Sequence, residues 1–113
     1  MKKNTLKPHL DLDILSLRDL ASNKAYVIGR RGAWRDYVDL FFLLKNGVEF
    51  EKVITETKKR FGGAFSEKLF LEQLTYFGDL SDFTVDYLGK NYEPEEIQEY
   101  LKKLVSDFVH NLN

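Results

Sequence analysis

The clearest pattern in the chain is a recurrence of apolar residues at every third or fourth position near its C-terminus. Pro94 is followed by two glutamates, an order typical of a helix start, since proline lacks an N–H there and acids favour the positive helix end. The pattern predicts an amphipathic helix from Pro94. Its apolar positions are Ile97, Tyr100, Leu101, Leu104, Val105, Phe108, Val109 and Leu112.

A second helix is predicted over residues 34–45, where apolar residues cover nearly the whole circumference. Only Arg35, Asp36 and Asp39 interrupt them, as one polar wedge. The following Asn46-Gly47 is typical of a left-handed helix end. We expect this helix to be buried at the centre of the fold.

Three further helices are predicted from capping signals and spacing. They cover residues 16–28 with Ser16 as N-cap, residues 50–61 ended by Gly62-Gly63, and residues 66–77 with Ser66 as N-cap. Residues 79–92 lack a clean period and are predicted to be an ordered loop.

Strict alternation of polar and apolar residues predicts a short β-strand over residues 9–15. No later segment has comparable alternation, so its pairing partner is expected in another chain or copy. The expected fold class is mainly α: one domain, residues 1–113, built as a compact bundle of about five helices with one short N-terminal β-strand.

Composition excludes several classes of protein. The 113 residues carry 17 Lys and Arg against 18 Asp and Glu, a net charge of −1, so a global nucleic-acid-binding charge is absent. The absence of cysteine excludes disulfides and thiolate metal sites. No apolar run reaches the roughly 18 residues of a membrane span. We expect a cytoplasmic protein without membrane contact.

The most distinctive candidate chemistry is a lysine among apolar residues, followed by a pair of aspartates. Lys24 lies near the middle of the apolar stripe predicted for the first helix, whose other members are Leu17, Leu20, Ala21, Val27 and Ile28. Asp36 and Asp39, three positions apart, can point into one site. The aspartate pair could hold a divalent metal ion or orient a nucleophile, and Lys24 on the neighbouring helix could neutralise phosphate oxygens. The alternative is structural: ion pairs that fix the angle between two helices, with Lys24 extending past its apolar neighbours.

Other charged or glycine-containing segments carry weaker signals. Asp11 and Asp13 could hold Mg²⁺, but alternation along any exposed strand gives the same spacing. His9 and His110 are isolated, so no metal site is expected. The basic segments 30–31 and 58–60 could contact RNA phosphates, although such turns are usually solvated helix ends.

Two runs of the sequence resemble the AbiEii/AbiGii-type nucleotidyltransferase toxin family. They are residues 13–24, similar to the family's "s-l-x-D-l-a-x-x-K" helix, and residues 30–44, similar to its "R-x-x-x-R-D-x-x-D-l-x-x-L" motif. Phe61-Gly62 and residues 74–82 and 94–105 also look like its C-terminal half. The resemblance implies catalytic roles for Lys24, Asp36 and Asp39, and phosphate or nucleotide binding by Lys24, Arg30, Arg31 and Arg35.

The family's N-terminal element has no counterpart before Leu10. That element is a Gly-Ser or Gly-Gly turn followed by D-x-D, which binds the triphosphate and two metal ions. We therefore expect no catalysis by this chain alone, and no cofactor unless a partner supplies the missing half with Mg²⁺ and a nucleoside triphosphate.

The expected partner is a second copy of the chain or a separate N-terminal nucleotidyltransferase half, with an antitoxin or RNA as further partners. Two alternatives stay open: a non-catalytic interaction or oligomerisation module, and a small RNA-binding helical bundle.

Overall fold

The computed structural model describes residues 14–77, 80 and 92–111. This part of the chain is a helical bundle, as predicted, and contains no strand. Its five α-helices are α1 (Ile14–Arg31), α2 (Trp34–Lys45), α3 (Phe50–Phe61), α4 (Glu67–Gln73) and α5 (Pro94–Asn111), with a short 3-10 helix, Gly62–Ala64, between α3 and α4.

Helix boundaries match the predictions where the end signals are strong. Helices α2 and α3 have the predicted bounds, and α5 begins at Pro94. Gly47 and Gly62, which follow α2 and α3, have positive φ values of 109° and 53°. At the start of α4, the Ser66 hydroxyl accepts the Leu69 N–H at 3.2 Å. Backbone conformations that favour glycine and a side-chain cap therefore define these ends.

The predicted bounds of α1 were wrong at both ends. The helix begins at Ile14, which places Ser16 inside the helix instead of at its N-cap. It continues through Gly29 to Arg31. A Cβ on Gly29 would lie 3.7 Å from both Phe65 and Phe70, so this glycine lies close to α4 and does not end the helix. The predicted strand otherwise lies outside the described residues, as do Asp11 and Asp13.

Helix α4 is shorter than predicted and ends at Gln73. The Glu72 carbonyl accepts the backbone N–H groups of Thr75 and Tyr76, each at 3.0 Å, and the Thr75 hydroxyl at 2.9 Å. These bonds belong to a turn that follows the helix. The loop predicted over residues 79–92 lies almost entirely outside the described residues.

Helix α1 is the common packing partner of α2, α3 and α4. Its inner face is made of small residues, and Ala21, Ser22 and Ala25 are completely buried together with Ile28. Short side chains let neighbouring helices approach closely. The prediction that α2 is buried is confirmed, since six of its residues are buried. The centre of the helix packing, however, is α1.

Helix α5 packs on α2 through aromatic contacts. The Phe41 and Tyr100 rings meet edge to face with centroids 5.0 Å apart, and Ile97 and Leu101 are completely buried. The region where α1 meets α2 is therefore on a different side of α2 from the side that packs on α5. Within the described ranges, no helix combines the length and apolar character needed to cross a membrane.

Candidate functional site

Lys24 lies at the border of the buried face of α1, and not in the middle of it as predicted. The buried stripe consists of Ala21, Ala25 and Ile28. Leu20 and Val27, which the sequence placed in the core, are 45% and 40% exposed. Helix α1 is therefore rotated so that Lys24 has one exposed apolar residue a turn before it and another a turn after it.

Lys24 bridges α1 to both aspartates of α2. Its Nζ lies 3.2 Å from Asp36 Oδ1 and 2.9 Å from Asp39 Oδ2. We call these three residues the lysine–aspartate cluster. The side-chain exposures are 29% for Lys24, 16% for Asp36 and 45% for Asp39, so the cluster opens to solvent on the Asp39 side. The convergence of these side chains, which the sequence spacing allowed, is present in the structure.

Asp36 has a second role in the turn between α1 and α2. Its Oδ2 accepts the backbone N–H of Ala33 at 2.9 Å, which satisfies a donor at the start of α2. The preceding Gly32 is closely packed, so that a side chain there would push its neighbours apart. A Cβ there would lie 3.1 Å from Ile28 Cα and 3.2 Å from Asp36 Oδ2. The turn therefore holds the Asp36 carboxylate in a narrow range of positions.

The two aspartates keep Lys24 in its charged form. Partial burial lowers the pKa of Lys24, but hydrogen bonds and charge attraction to Asp39 and Asp36 outweigh that effect and raise the pKa above its usual 10.5. A permanently protonated lysine cannot act as a general base. Its available chemistry is electrostatic: it can neutralise an anionic oxygen that enters beside Asp39.

The cluster is poorly suited to hold a divalent cation by itself. The Lys24 ammonium already lies within 3.2 Å of both carboxylates, so its positive charge competes with a cation for their oxygens. In the described part of the chain no group of three or more histidine, aspartate or glutamate side chains could hold a metal ion.

Two of the three predicted arginines, Arg30 and Arg31, lie on α1, and Arg35 lies on α2. Arg31 ends α1 with a φ of 110°, which is unusual for a residue other than glycine, and its side chain is exposed. Arg35 is exposed on α2, one turn before Asp39. Arg30 instead donates from Nη1 to the Tyr26 hydroxyl at 3.2 Å. Arg30 is therefore not part of the lysine–aspartate cluster.

Sequence reasoning missed an aromatic pair between α1 and α3. The rings of Tyr26 and Phe61 are stacked, with centroids 4.1 Å apart and planes inclined by 9°. Tyr26 lies one turn before Arg30, and Phe61 directly follows Arg60. The aromatic-and-arginine spacing was visible in the sequence, but nothing in it showed that the two segments meet.

Comparison with known proteins gives one relative and no family. No protein-family model matches the chain, and no solved structure matches it. The chain is 29% identical over 103 residues to "Uncharacterized protein aq_aa25" of Aquifex aeolicus (strain VF5). The match covers 90% of this chain and 48% of that protein, so the chain spans about half the length of the curated relative it matches.

Proposed function

We propose that this chain is the helical part of a nucleotidyltransferase-like protein of the AbiEii type. In this proposal the lysine–aspartate cluster faces a nucleotide-binding half that belongs to another chain or another segment. The observation that carries the proposal is the convergence of Lys24, Asp36 and Asp39 at a partly open surface. These are the three positions that the resemblance to that family marks as functional.

The charges around the cluster favour a phosphate-bearing ligand. Lys24, Asp36 and Asp39 together have one excess negative charge, and the exposed Arg31 and Arg35 turn this into one excess positive charge. The arginines can form paired hydrogen bonds with phosphate oxygens, and Lys24 can contribute a point charge. Asp36 orients Lys24 from a position fixed by the Ala33 N–H.

The second half has to supply the metal-dependent part of the reaction. When bound, Mg²⁺ would neutralise the triphosphate and align it for in-line attack. This chain's own residues would bind and orient the phosphates next to that metal. Because phosphoryl chemistry depends on positioning all of these groups at once, the isolated chain is expected to be inactive.

A surface next to the cluster supports the proposal of a partner. Leu20 and Val27 are exposed on either side of Lys24 and would lose contact with water in a complex. The relative from Aquifex aeolicus is about twice as long as the matched region, which leaves space in that protein for a second half. The partner in this proposal is either a separate nucleotide-binding chain or a second copy of this chain. A homodimer without a nucleotide-binding chain would correspond to the alternative function, an interaction module.

A nucleotidyl-transfer assay tests the proposal that this chain needs a second half for activity. The pure chain, incubated with Mg²⁺, labelled nucleoside triphosphates and tRNA, should transfer no label. Transfer by the wild-type chain that disappears in Lys24→Ala would show that the site is complete without a partner. Lys58→Ala is the matched control, because Lys58 also pairs with a carboxylate on another helix, Glu67, at 2.9 Å.

Sedimentation distinguishes the candidate partners. A homodimer would sediment at twice the chain mass at micromolar concentration, and Leu20→Glu would shift it to monomer if the Lys24 face is the contact. A wild-type monomer that also binds no Mg²⁺–nucleotide would contradict both the enzyme-half and the oligomerisation functions.

A further inference from the structure

We propose that the α1–α3 side of the bundle binds single-stranded nucleic acid through a row in which an arginine lies at each end of two stacked aromatic rings. The row consists of Arg30, Tyr26, Phe61 and Arg60, and we call it the α1/α3 stack. It is separate from the lysine–aspartate cluster, which joins α1 to α2. The inference therefore does not rest on the proposed nucleotidyltransferase function.

The four side chains form a continuous row across two helices. The Tyr26 and Phe61 rings stack at 4.1 Å in its centre. At one end the Arg30 guanidinium carbon lies 5.7 Å from the Tyr26 centroid, and at the other the Arg60 carbon lies 5.9 Å from the Phe61 centroid. These are cation–π distances. Arginines at both ends of a stacked ring pair place phosphate-binding groups on either side of aromatic surface against which an unpaired base can pack.

The row is partly accessible to solvent. Arg30 and Arg60 are exposed, whereas Tyr26 and Phe61 are half-buried and pack against the core with part of each side chain exposed. The next two residues along the chain, Gly62 and Gly63, have open space around them, because an added Cβ would meet no atom within 4 Å. A strand can therefore approach the Phe61 end of the row without a steric barrier.

Arg30 and Arg60 differ in how far neighbouring groups neutralise their positive charge. Among the described residues, no carboxylate forms an ion pair with Arg30. Its guanidinium donates a hydrogen bond to the Tyr26 hydroxyl. Arg60 is held by Asp19, with Nη1 3.3 Å from Oδ1, and by the buried Ser22 hydroxyl at 3.2 Å. Arg60 is thus preoriented, whereas Arg30 supplies the uncompensated charge. A guanidinium has five N–H donors, so Arg60 can also bind a phosphate.

The chemistry favours a nucleic acid over an acidic protein segment. An acidic peptide would use the arginines but would gain nothing from two stacked rings between them. Unpaired bases stack on aromatic rings and on guanidinium planes, and this contact is largely independent of sequence. The ordinary alternative is that the row only holds α1 against α3, and that alternative predicts no ligand dependence.

Fluorescence anisotropy with a labelled 12-nucleotide single-stranded RNA tests the inference, with the same DNA sequence and poly-glutamate as further probes. The wild-type chain should bind RNA or DNA, and two phosphate contacts predict a salt slope of about −1.4. Arg30→Gln should weaken binding about fivefold to tenfold and reduce the slope to about −0.7. Tyr26→Leu should weaken binding about tenfold through lost stacking.

Three controls separate binding from folding and from the other site. Tyr26→Phe keeps the ring and should retain binding within about twofold. Lys103→Gln removes an equal charge from α5, where the side chain is 78% exposed, and should change binding little. Lys24→Met should leave RNA affinity unchanged even if it abolishes nucleotide binding. Circular dichroism and thermal unfolding establish that each variant is folded.

The same titrations can overturn the inference. Equal affinity of the wild type and a folded Arg30→Gln variant would place any binding elsewhere. Poly-glutamate binding as tight as RNA binding would assign the surface to an acidic protein partner. Loss of RNA binding in Lys24→Met, with Arg30→Gln unaffected, would assign nucleic-acid contact to the lysine–aspartate cluster. Absence of binding to either nucleic acid at about 50 mM salt would leave the α1/α3 stack with a structural role only.

Discussion

The C-terminal halves of α1 and α3 contain similar residues but form different sites. Both last turns are basic, and in each helix a lysine pairs with a carboxylate on the next helix at 2.9 Å. Lys24 meets two carboxylates and is 29% exposed, whereas Lys58 meets only Glu67 and is 57% exposed. A lysine among apolar residues thus indicates a specific site more reliably than one in a run of basic residues.

The backbones at these two helix ends also differ. Helix α3 is followed by Gly62 at φ 53°, a conformation that glycine adopts without strain. Helix α1 ends with Arg31 at φ 110°, which is strained for any residue with a Cβ. The two helix ends therefore differ in backbone strain as well as in their side chains.

The largest difference in stability between the two regions should come from replacing the carboxylates that pair with Lys24 and Lys58. Asp36→Ala removes the acceptor for the Ala33 N–H and one partner of Lys24, and it should lower the free energy of unfolding by about 2–3 kcal/mol. Glu67→Ala removes one partly exposed ion pair and should cost less than about 1 kcal/mol. Urea unfolding measures both. Equal losses would mean that the two ends are energetically alike.

Replacing Gly62 by alanine provides the next test. Gly62→Ala should destabilise the chain by about 1–2 kcal/mol, because φ 53° with ψ −131° is unfavourable for an L side chain. The neighbouring Gly63 has no positive φ, and an added Cβ meets nothing there. Gly63→Ala is therefore the matched control and should be neutral or slightly stabilising. A neutral Gly62→Ala would contradict the described helix end.

Replacing the two lysines should give a smaller, pH-dependent difference. Lys24→Met should cost about 1 kcal/mol near pH 7, and Lys58→Met about 0.5 kcal/mol or less. Because the folded-state pKa of Lys24 is raised, its contribution is fully present below about 10.5 and is lost as the pH rises above that value.

The stability gap between wild type and Lys24→Met should accordingly stay constant between about pH 7 and pH 9 and narrow only in more alkaline solution. Urea titrations at several pH values measure it. A gap that closes near neutral pH would show that Lys24 is not held charged by Asp36 and Asp39.

The smallest expected effect has the opposite sign. Arg31→Gly should stabilise the chain by about 0.5–1 kcal/mol by relieving the backbone at φ 110°. The same variant should bind Mg²⁺–nucleotide more weakly if the side chain is used for phosphate binding. Thermal unfolding and a nucleotide titration of one protein sample report both effects. Destabilisation would mean that Arg31 makes contacts that outweigh its backbone strain.

Sequence reasoning predicted the features that depend on neighbouring residues in the chain, and it failed for the features that depend on how the helices pack together. Glycines and Ser66 determine the ends of α2, α3 and the start of α4, and each can be recognised without a structure. The meeting of Lys24 with Asp36 and Asp39 was foreseeable because a lysine among apolar residues needs a partner.

The rotation of α1 was not foreseeable. Ala21, Ser22 and Ala25 face inward because short side chains let three helices approach α1, and this turns Leu20 and Val27 outward. Arg30 contacts Tyr26 because the two residues lie one turn apart on the same helix, and the rotation places both of them away from the cluster. The stacking of Tyr26 on Phe61 joins residues distant in the chain, so no periodicity within either helix could reveal it.

The most direct test of the central claim locates a nucleotide on the chain by nuclear magnetic resonance. A ¹⁵N-labelled sample is titrated with Mg²⁺–ATP, and the wild type is compared with Lys24→Met and Lys58→Met. The account expects weak binding that shifts the amide signals of Lys24, Asp36 and Asp39, that disappears in Lys24→Met and that persists in Lys58→Met. Shifts confined to the surroundings of Lys58 and Glu67, or identical shifts in all three proteins, would contradict the proposal that the lysine–aspartate cluster is the nucleotide-facing site.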